Sequence, residues 1–479
     1  MRAIVTCSVG MERLVRRELS SIGIASKPFV SPRKEVGERS GKIAVPSIST
    51  RQLYAANCFL RCANRIFVEA ATFKATTLHD LELSLKRSRS RLSPFIPPAS
   101  CLQVRCKSER SRLFHTAGIA ERVHKLVGRD QPIEAASSQQ VEVRALHDRF
   151  SLLVDSSGEA LHERGWRDDP GSMPLRSTYA AAILMAAGWE EAAPASYLLD
   201  PCCGGGTIPI EAASMAIGLP PHAAGEDGAP LRPFALQAWP NFDHGAWASV
   251  LDEAKQRRQD ALQLAESRHT QHGVRIWGYD RDAGAVAGAT RNAVRAGVSE
   301  MVGFHHAPIS QLAPPELLLR KDQISAAEGG ASHTTDNPAT CCSPLPRLSR
   351  PHLLQRHMSE DTTTPRTARM LGLLISNPPW GLRSSQGAGE KKGRRRDSTD
   401  KRPVYATLGR LFTERFAGWK LALLVKKRAH ARIASKELEP TLELTIGGQR
   451  TWLMVLPNVG ARDVSDESQS VDGTAGEQC

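Results

Sequence analysis

The stretch YLLDPCCGGGTIPIEAASMAI at positions 197–217 decides the fold of this chain. It begins as an apolar run, stops at Asp200, turns on three consecutive glycines, and continues with the helical pattern Ile208–Ile217. A buried strand that leads through glycines into a helix is typical of an α/β sheet. Glycines let the backbone approach a ligand closely, and the helix start directs free N–H groups toward it. The stretch therefore predicts a cofactor-binding turn, with an ordinary glycine-rich turn as the alternative.

The residues around the glycines indicate which kind of ligand the turn would bind. Gly204 and Gly206 form a G-x-G pattern, but Pro209 stands where the dinucleotide fingerprint requires a third glycine. Asp200 comes just before the glycines, and its carboxylate would repel a phosphate. The turn therefore favours a cationic ligand, such as an amino-acid ammonium or a sulfonium, over a pyrophosphate.

Length and composition bound the remaining possibilities. The chain has 479 residues, enough for two or three domains, and its formal charge of +13 favours a polyanionic partner, although solvated basic faces are common. Its 10 cysteines lack the paired spacing of a zinc site, so we expect reduced thiols, no metal and an intracellular, cytoplasmic location, with nucleus or organelle left open. Neither a signal peptide nor a membrane span is predicted, so we expect no membrane partner.

Residues 1–160 form one predicted α+β unit. Its apolar spacing predicts strands and helices that alternate with many basic residues. The predicted elements are a strand Ala3–Cys7, helices at Met11–Leu19, Thr50–Val68, Leu81–Leu92 and Thr116–Val127, a strand Leu102–Cys106, and a hairpin of Gln140–Ala145 and Arg149–Asp155. The unit contains no acid–base cluster, so it indicates a sequence-indifferent phosphate clamp or, alternatively, a solvated basic face.

The segment 161–190 joins this unit to the rest of the chain. It contains a loop punctuated by glycine and proline, followed by a helix of small residues, Ser177–Ala187. Arg164 and Arg167 flank Trp166, so the loop could hold nucleic acid by charge and stacking. An interdomain linker fastened by a buried tryptophan explains the same residues equally well.

From Tyr197 onward, strands and helices alternate as in a doubly wound sheet. A strand Val274–Gly278 ends next to Asp280, where a carboxylate could accept hydrogen bonds from both ribose hydroxyls of a nucleoside. Asp282 directly precedes the predicted helix Ala285–Ala296 and is better placed as its N-cap. A strand Val302–His306 follows, and then residues 321–370 lose all periodicity, which indicates a disordered insertion.

The apolar strand Leu371–Ser376 runs directly into Asn377-Pro378-Pro379-Trp380. The prolines fix the backbone, so the Asn377 side-chain carbonyl and the Pro378 main-chain carbonyl can converge as two acceptors for one amino group. Trp380 offers a face on which a planar base can stack. The tetrapeptide therefore predicts recognition of an exocyclic amine on a nucleobase, with a strand-terminating turn and a core tryptophan as the alternative.

Together these motifs resemble the Rossmann-like S-adenosylmethionine-dependent methyltransferases that act on exocyclic amines of nucleic acids. More narrowly, the layout resembles the THUMP-domain group that makes N2-methylguanosine in RNA, and within it the bacterial large-subunit rRNA guanine-N2-methyltransferases. The matching motifs, in chain order, are DSSGEALHERGWR at 155–167, Pro174-Leu175-Arg176, the turn at Asp200, Gly278-Tyr279-Asp280, the stretch Asn377–Gly381, and residues 405–420.

The resemblance implies a fold class, a cofactor and site residues. The fold is an α/β Rossmann-like methyltransferase domain at 191–458, preceded by a THUMP-type α+β RNA-binding domain at about 50–155, with a disordered acidic tail at 459–479. The implied catalytic residues are Asn377, Pro378, Pro379 and Trp380. S-adenosyl-L-methionine would contact Asp200, Cys202, Gly204, Gly206, Thr207, Asp280, Arg281 and Asn377. RNA would contact Arg61, Arg65, Lys74, Arg105, Lys107, Arg110, Arg112, Arg164 and Arg167.

Two departures from the family pattern accompany the resemblance. Pro308 stands near the position of the acid that usually holds the adenine amino group, so adenine recognition stays open. The second methyltransferase domain of the longest bacterial relatives is not found here, so we expect one reaction. The basic run Lys391–Arg402 could grip an RNA backbone or form a solvated loop.

The sequence therefore predicts methylation of a guanosine N2 in RNA, with large-subunit rRNA favoured over tRNA. A DNA adenine-N6 or cytosine-N4 methyltransferase uses a similar turn, but the N-terminal domain argues against it. An inactive RNA-binding THUMP protein is the alternative of another class. The target nucleotide, the oligomeric state and the need for a small activating subunit stay undetermined.

Overall fold

The computed structural model describes residues 1–29, 40–97, 100–127, 137–167, 175–189, 197–224, 228–267, 276–313, 372–378, 402–416 and 418–456. Within these ranges the strands form two seven-stranded sheets, one from residues 2–155 and the other from residues 197–455. No helix in the described ranges is long and apolar enough to cross a membrane. The predicted insertion 321–370, the tail 459–479 and nearly all of the basic run 391–402 lie outside the described residues.

The N-terminal sheet is mostly antiparallel, with α-helices along its sequence. Its elements are β1 (Arg2–Thr6), α1 (Glu12–Ser21), β2 (Lys27–Pro28), β3 (Lys42–Val45), α2 (Thr50–Phe59), β4 (Arg65–Lys74), α3 (Leu78–Leu92), β5 (Ser100–Glu109), α4 (Thr116–Val127), β6 (Ser137–Leu146) and β7 (Arg149–Asp155). The strand order is β2-β3-β1-β4-β7-β6-β5, and only the β5–β6 pair is parallel. β5 is therefore an edge strand.

One predicted element of this unit is wrong. The expected helix over 50–68 ends at Phe59, and Arg65 instead begins the ten-residue strand β4. Ile66 pairs with Val5 of β1, while Val68 pairs with Val154 of β7, and both side chains are fully buried. Helical and strand periods are hard to separate in a short apolar run, and cross-strand packing of β-branched residues favours the sheet.

The C-terminal sheet is the predicted doubly wound sheet. Its elements are α5 (Ser177–Ala186), β8 (Tyr197–Asp200), α6 (Thr207–Ala216), α7 (His244–Ser267), β9 (Ile276–Asp280), α8 (Ala283–Arg295), β10 (Val302–His306), β11 (Gly372–Ser376), α9 (Arg402–Arg415), β12 (Trp419–Val425), α10 (Arg428–Ala434), β13 (Glu439–Ile446) and β14 (Gln449–Val455). The order is β10-β9-β8-β11-β12-β14-β13, and the pairs are parallel except for β12–β14 and β14–β13, which are antiparallel. The order reverses between β8 and β11, which is where open α/β sheets bind ligands.

A buried ion pair network joins the two sheets. Arg164, in the connecting segment, is 2% exposed; its Nε donates to Glu211 Oε1 of α6 at 2.9 Å and its Nη2 donates to the Arg61 carbonyl at 2.7 Å. The Arg61 guanidinium also reaches Glu211, at 3.4 Å. Trp166 is 3% exposed, as expected for an interdomain linker fastened by a buried tryptophan. One carboxylate therefore holds arginines from the N-terminal unit and from the linker.

Candidate functional site

The two sequence motifs meet at the switch point of the C-terminal sheet. β8 and β11 are neighbouring parallel strands, with Leu199 opposite Leu374. At their carboxyl ends, the Ser376 hydroxyl donates to Asp200 Oδ1 at 3.1 Å, and both residues are buried. The glycine turn and the Asn377 turn therefore leave adjacent strands at the same edge of the sheet.

Asp200 is a buried carboxylate in this site, 1% exposed. Its Oδ1 accepts hydrogen bonds from the Cys202 N–H at 3.0 Å and from Ser376. Burial is the main cause that raises the pKa of Asp200 to about 7, and the nearby negative charge of Asp280 contributes to the increase. The group is thus poised to change charge near neutral pH, and a cationic ligand would favour its ionised form.

The backbone of the glycine turn has a conformation that would be strained for residues other than glycine. Gly204 and Gly206 have φ angles of +51° and +81°, in the left-handed region. A Cβ on Gly206 would lie 2.8 Å from the Phe304 ring, whereas a Cβ on Gly204 would meet nothing within 4 Å among the described atoms. The turn therefore packs on the sheet through Gly206 and leaves Gly204 on its open side.

Asp280 connects this turn to the end of β9. Its Oδ2 accepts the Gly204 N–H at 2.9 Å and its Oδ1 accepts the Asp282 N–H at 3.0 Å. The Asp282 carboxylate instead accepts the N–H groups of Gly284 and Ala285, so Asp282 is the N-cap of α8, as the sequence predicted. Each carboxylate oxygen of Asp280 has a further lone pair, and the residue is half-exposed, so it can accept hydrogen bonds from a ligand as well.

The other predicted cofactor contacts border the same turn. Cys202 is half-buried, and burial raises the pKa of its thiol to about 12, so the thiol is neutral. Arg281 is exposed, and its carbonyl lies 3.1 Å from His306 Nε2. Pro308, just beyond β10, is exposed, and the neighbouring Ala307 N–H donates to the Asp280 carbonyl at 3.0 Å. The end of β10 is therefore tied to the same edge of the sheet.

Asn377 follows β11 directly and carries an unsatisfied acceptor. Its Oδ1 is buried and finds no hydrogen-bond donor among the described residues, and Pro378 beside it is buried. An unpaired buried carbonyl oxygen costs roughly 1 to 3 kcal/mol, so a ligand that donates a hydrogen bond to it is favoured. Pro379 and Trp380, the remaining predicted catalytic residues, lie outside the described residues.

Sequence reasoning missed two contributors to this site. Ser376 links Asp200 to the Asn377 turn, and its signal was a polar residue at the end of an otherwise apolar strand. Arg167 donates from Nη2 to Thr207 Oγ1 at 2.8 Å, and its guanidinium carbon lies 5.3 Å from the Trp166 ring centroid. Arg167, which was predicted to contact RNA, thus contacts Thr207, the first residue of α6, beside the glycine turn.

Of the nine residues predicted to contact RNA, three take part in internal ion pairs, five are exposed, and Arg167 is half-buried with a hydrogen bond to Thr207. Arg164 and Arg61 are committed to the buried network with Glu211, and Arg65 bonds the buried Asp155 carboxylate and the Gly158 carbonyl. The Arg164 guanidinium is buried and its donors are taken by protein oxygens, so it cannot reach a phosphate and the prediction is wrong for Arg164. Arg61 and Arg65 are half-buried members of internal ion pairs, and their RNA contacts stay predictions. The exposed members are Lys74, Arg105, Lys107, Arg110 and Arg112.

The described residues contain no group of three or more metal-ligating side chains, and the seven described cysteines are free thiols. A cleft of about 770 Å³ lies away from the sheet switch point, between α3, Val127 and the segment at Pro240. The ligand surface at the Asp200 turn is therefore defined by its polar groups and backbone geometry.

Residues 164–323 match the model of the RMKL-like methyltransferase domain. The chain is 27% identical over 308 residues to the ribosomal RNA large subunit methyltransferase K/L of Marinomonas sp. (strain MWYL1), covering 62% of this chain and 39% of that protein. It is 25% identical over 485 residues to the protein of the same name from Chromohalobacter salexigens, covering 98% of this chain and 55% of that protein. The chain thus spans about half or less of the length of these two relatives.

Two solved structures share the fold along nearly the whole chain. A predicted N6-adenine-specific DNA methylase from Listeria monocytogenes superposes with a TM-score of 0.64 at 23% identity, covering 94% of this chain and 95% of that one. SMU.472, solved in complex with SAH, superposes with a TM-score of 0.65 at 20% identity, covering 95% of this chain and 97% of that one. Both superpositions extend across the two sheets.

Proposed function

We propose, since residues 164–323 match the model of the RMKL-like methyltransferase domain, that this chain methylates the exocyclic N2 amino group of a guanosine in RNA. The methyl donor is S-adenosylmethionine, and large-subunit rRNA is the favoured substrate. One observation carries the proposal: the hydrogen bond from Ser376 to Asp200 brings the unsatisfied Asn377 carbonyl oxygen next to a turn suited to a cationic ligand.

The donor set of the turn fits this cofactor. Asp200 offers a buried carboxylate to a cation, Asp280 offers a half-exposed carboxylate to ribose hydroxyls, and the start of α6 offers backbone N–H groups. Gly204 has open space where a Cβ would stand, so the backbone there can be approached closely. SMU.472, which has this fold, was solved with SAH. S-adenosylmethionine, when bound, supplies an electrophilic methyl group.

The chain's own residues would prepare the amine for attack. An exocyclic amine is a poor nucleophile because its lone pair is delocalised into the ring. The Asn377 side-chain carbonyl and the Pro378 main-chain carbonyl accept its two hydrogens, which directs the lone pair out of the base plane. The same oxygens stabilise the positive charge that develops on nitrogen during attack.

This arrangement needs no strong general base, because the nitrogen becomes acidic only as it is alkylated and can then release its proton to water. Most of the remaining barrier reduction comes from alignment, which can contribute about 7 to 11 kcal/mol. Trp380, following Pro379, would stack on the guanine and hold it in the plane of the two acceptors. The target base must be unpaired or extruded before it can enter.

The N-terminal sheet is the proposed RNA-binding unit, of THUMP type, over about residues 50–155. Lys74, Arg105, Lys107, Arg110 and Arg112 are exposed cations on or near its strands, so they are available to phosphates. Relatives named as ribosomal RNA methyltransferases support rRNA as the substrate class. A tRNA substrate would use the same cations, and the described site does not distinguish the two RNAs.

The decisive experiment maps N2-methylguanosine by mass spectrometry in rRNA and tRNA from cells with and without this protein. Loss of one rRNA N2-methylguanosine in the deletion, restored by the wild type but not by Asn377→Ala, is the expected result. Loss of a tRNA modification instead would reassign the substrate. An unchanged modification map, together with undetectable S-adenosylmethionine binding by both wild type and Asp200→Ala, would favour an inactive RNA-binding protein.

A further inference from the structure

The end of the N-terminal sheet that is farthest from the linker carries a second cluster of cations. We define this distal rim by Lys74, Arg110, Arg112, Phe114 and Arg149. β4 begins at Arg65, whose ion pair with Asp155 lies next to the linker, and ends at Lys74. Ten residues of strand span roughly 30 Å, so the distal rim is well separated from that junction.

The backbone of the distal rim is held in place by hydrogen bonds to the β6–β7 turn. The Arg112 N–H donates to Asp148 Oδ1 at 2.7 Å, and the Asp148 N–H donates to Ser111 Oγ at 3.0 Å. Behind this contact, the Ser108 hydroxyl donates to the Leu113 carbonyl at 2.6 Å. Arg110 has a φ of +47°, a conformation that non-glycine residues seldom adopt unless the surroundings impose it. The loop after β5 is therefore preorganised.

That loop presents an aromatic surface to solvent. Phe114 is 66% exposed, the highest value among the exposed large hydrophobic side chains of the described residues. Its ring lies against His115, with centroids 4.2 Å apart. The side chain of Leu113, next to it, packs on the core, so the exposure of Phe114 is a property of a fixed loop. An aromatic ring held outward in this way has an open face available to another planar group.

The distal rim carries four exposed cations at one end of the sheet, an arrangement that favours an anion. Lys74 stands directly opposite Arg149 in the β4–β7 pair, and both side chains are exposed. Like charges in directly opposite positions destabilise a sheet unless a counter-charge lies between them. Arg110 and Arg112 are exposed on the neighbouring loop, and the acid between these segments, Asp148, has one oxygen occupied by a backbone N–H.

We propose that the distal rim binds an unpaired segment of RNA, with one base stacked on Phe114 and the flanking phosphates on the four cations. This inference rests on the proposed RNA substrate and names a contact that the substrate makes far from the methylated guanine. A base offers its face to an aromatic side chain only when it is unpaired, so the rim should prefer single-stranded over duplex RNA. Stacking on one aromatic ring changes affinity by about 5- to 150-fold.

The test measures binding of the full chain to a fluorescein-labelled 12-nucleotide oligoadenylate by fluorescence anisotropy, with the same strand annealed to oligouridylate as the duplex probe. Phe114→Ala should weaken single-strand binding by about 5- to 150-fold and leave duplex binding within about twofold. Phe114→Trp, which keeps an aromatic ring at this position, should bind the single strand as the wild type does. Val294→Ala is the matched control, since Val294 is 60% exposed on α8 of the other sheet. Lys74→Gln and Arg149→Gln should each reduce the salt slope by about 0.7.

Unchanged single-strand binding by Phe114→Ala, or an equal loss for both probes, would overturn the inference. Phe114 is exposed, so the variants should keep the wild-type melting curve and bind S-adenosylmethionine as the wild type does. A wild type that binds oligoadenylate through Phe114 but does not bind S-adenosylmethionine would support the distal rim and refute the proposed function.

Discussion

The buried carboxylate of Asp200 should make cofactor binding depend on pH in a defined direction. Its pKa is raised to about 7, chiefly by burial, and only the ionised form attracts a cation. Affinity for S-adenosylmethionine should therefore increase as pH rises through 7 and fall as pH drops below it. The apparent dissociation constant scales inversely with the ionised fraction, which is about 3% at pH 5.5 and about 75% at pH 7.5, so we expect roughly a 25-fold change.

Isothermal titration calorimetry with S-adenosylmethionine across pH 5.5 to 7.5 measures this change directly. Binding draws the ionised form from the protonated population, so about half a proton per ligand should be released at pH 7. Repeating the titration in two buffers with different ionisation enthalpies counts that proton. Each pH point should be accompanied by a melting curve, so that a loss of folded protein is not mistaken for a loss of affinity.

Two variants identify the titrating group. Asp200→Asn should bind weakly and with no pH dependence over this range, because it cannot ionise. Asp280→Asn removes the negative neighbour that raises the pKa of Asp200, so the midpoint of the remaining dependence should move to lower pH. A wild-type affinity that is flat between pH 5.5 and 7.5, or a slope that survives in Asp200→Asn, would refute this account of the site.

Three further predictions follow from the same structure. Asn377→Ala should abolish methyl transfer while RNA affinity changes little, and near-wild-type turnover in a tritiated-methyl assay would contradict its role. Gly206→Ala places a Cβ 2.8 Å from an aromatic ring at a φ of +81°, so it should destabilise the fold by more than about 1 kcal/mol in urea denaturation and weaken cofactor binding. Its control is Gly288→Ala on α8, where the nearest atom to an added Cβ lies 3.9 Å away. Glu211→Gln leaves the buried Arg164 and the half-buried Arg61 without their carboxylate and should cost about 3 to 5 kcal/mol. Glu253→Gln, at the partly exposed pair with Arg51, should cost about 1 kcal/mol or less, and equal effects would refute the buried network.

The sequence was most informative about functional residues that lie at the ends of strands, because the topology of a parallel sheet brings those ends together. Asp200 and Asp280 are the last residues of two neighbouring parallel strands, and Asn377 follows a third. The carboxyl ends of such strands share an edge of the sheet, so the proximity of these residues could be anticipated. The hydrogen bond from Ser376 to Asp200 could not be anticipated. It depends on the register between two strands that are separated by 171 residues of sequence, from Asp200 to Gly372.

The errors have equally specific causes. Arg164 was predicted to contact RNA because basic side chains are usually solvated, yet it is buried and pairs with Glu211, which is 47 residues away in sequence. No local pattern identifies such a partner. Residues 65–68 were predicted as helix because a short apolar run fits the period of a helix as well as that of a strand. The pairing of β4 with β1 and β7 stabilises the strand.

The network around Glu211 also determines how the two ends of the molecule act together. Moving one sheet away from the other would leave a buried charge without its partner. The distance between the open side of the glycine turn and Phe114 is therefore fixed by the fold. If both sites bind one RNA molecule, the distance between them is fixed by the protein. A guanine would then be selected by its distance from an unpaired nucleotide in the folded RNA, and the sequence between the two would matter little.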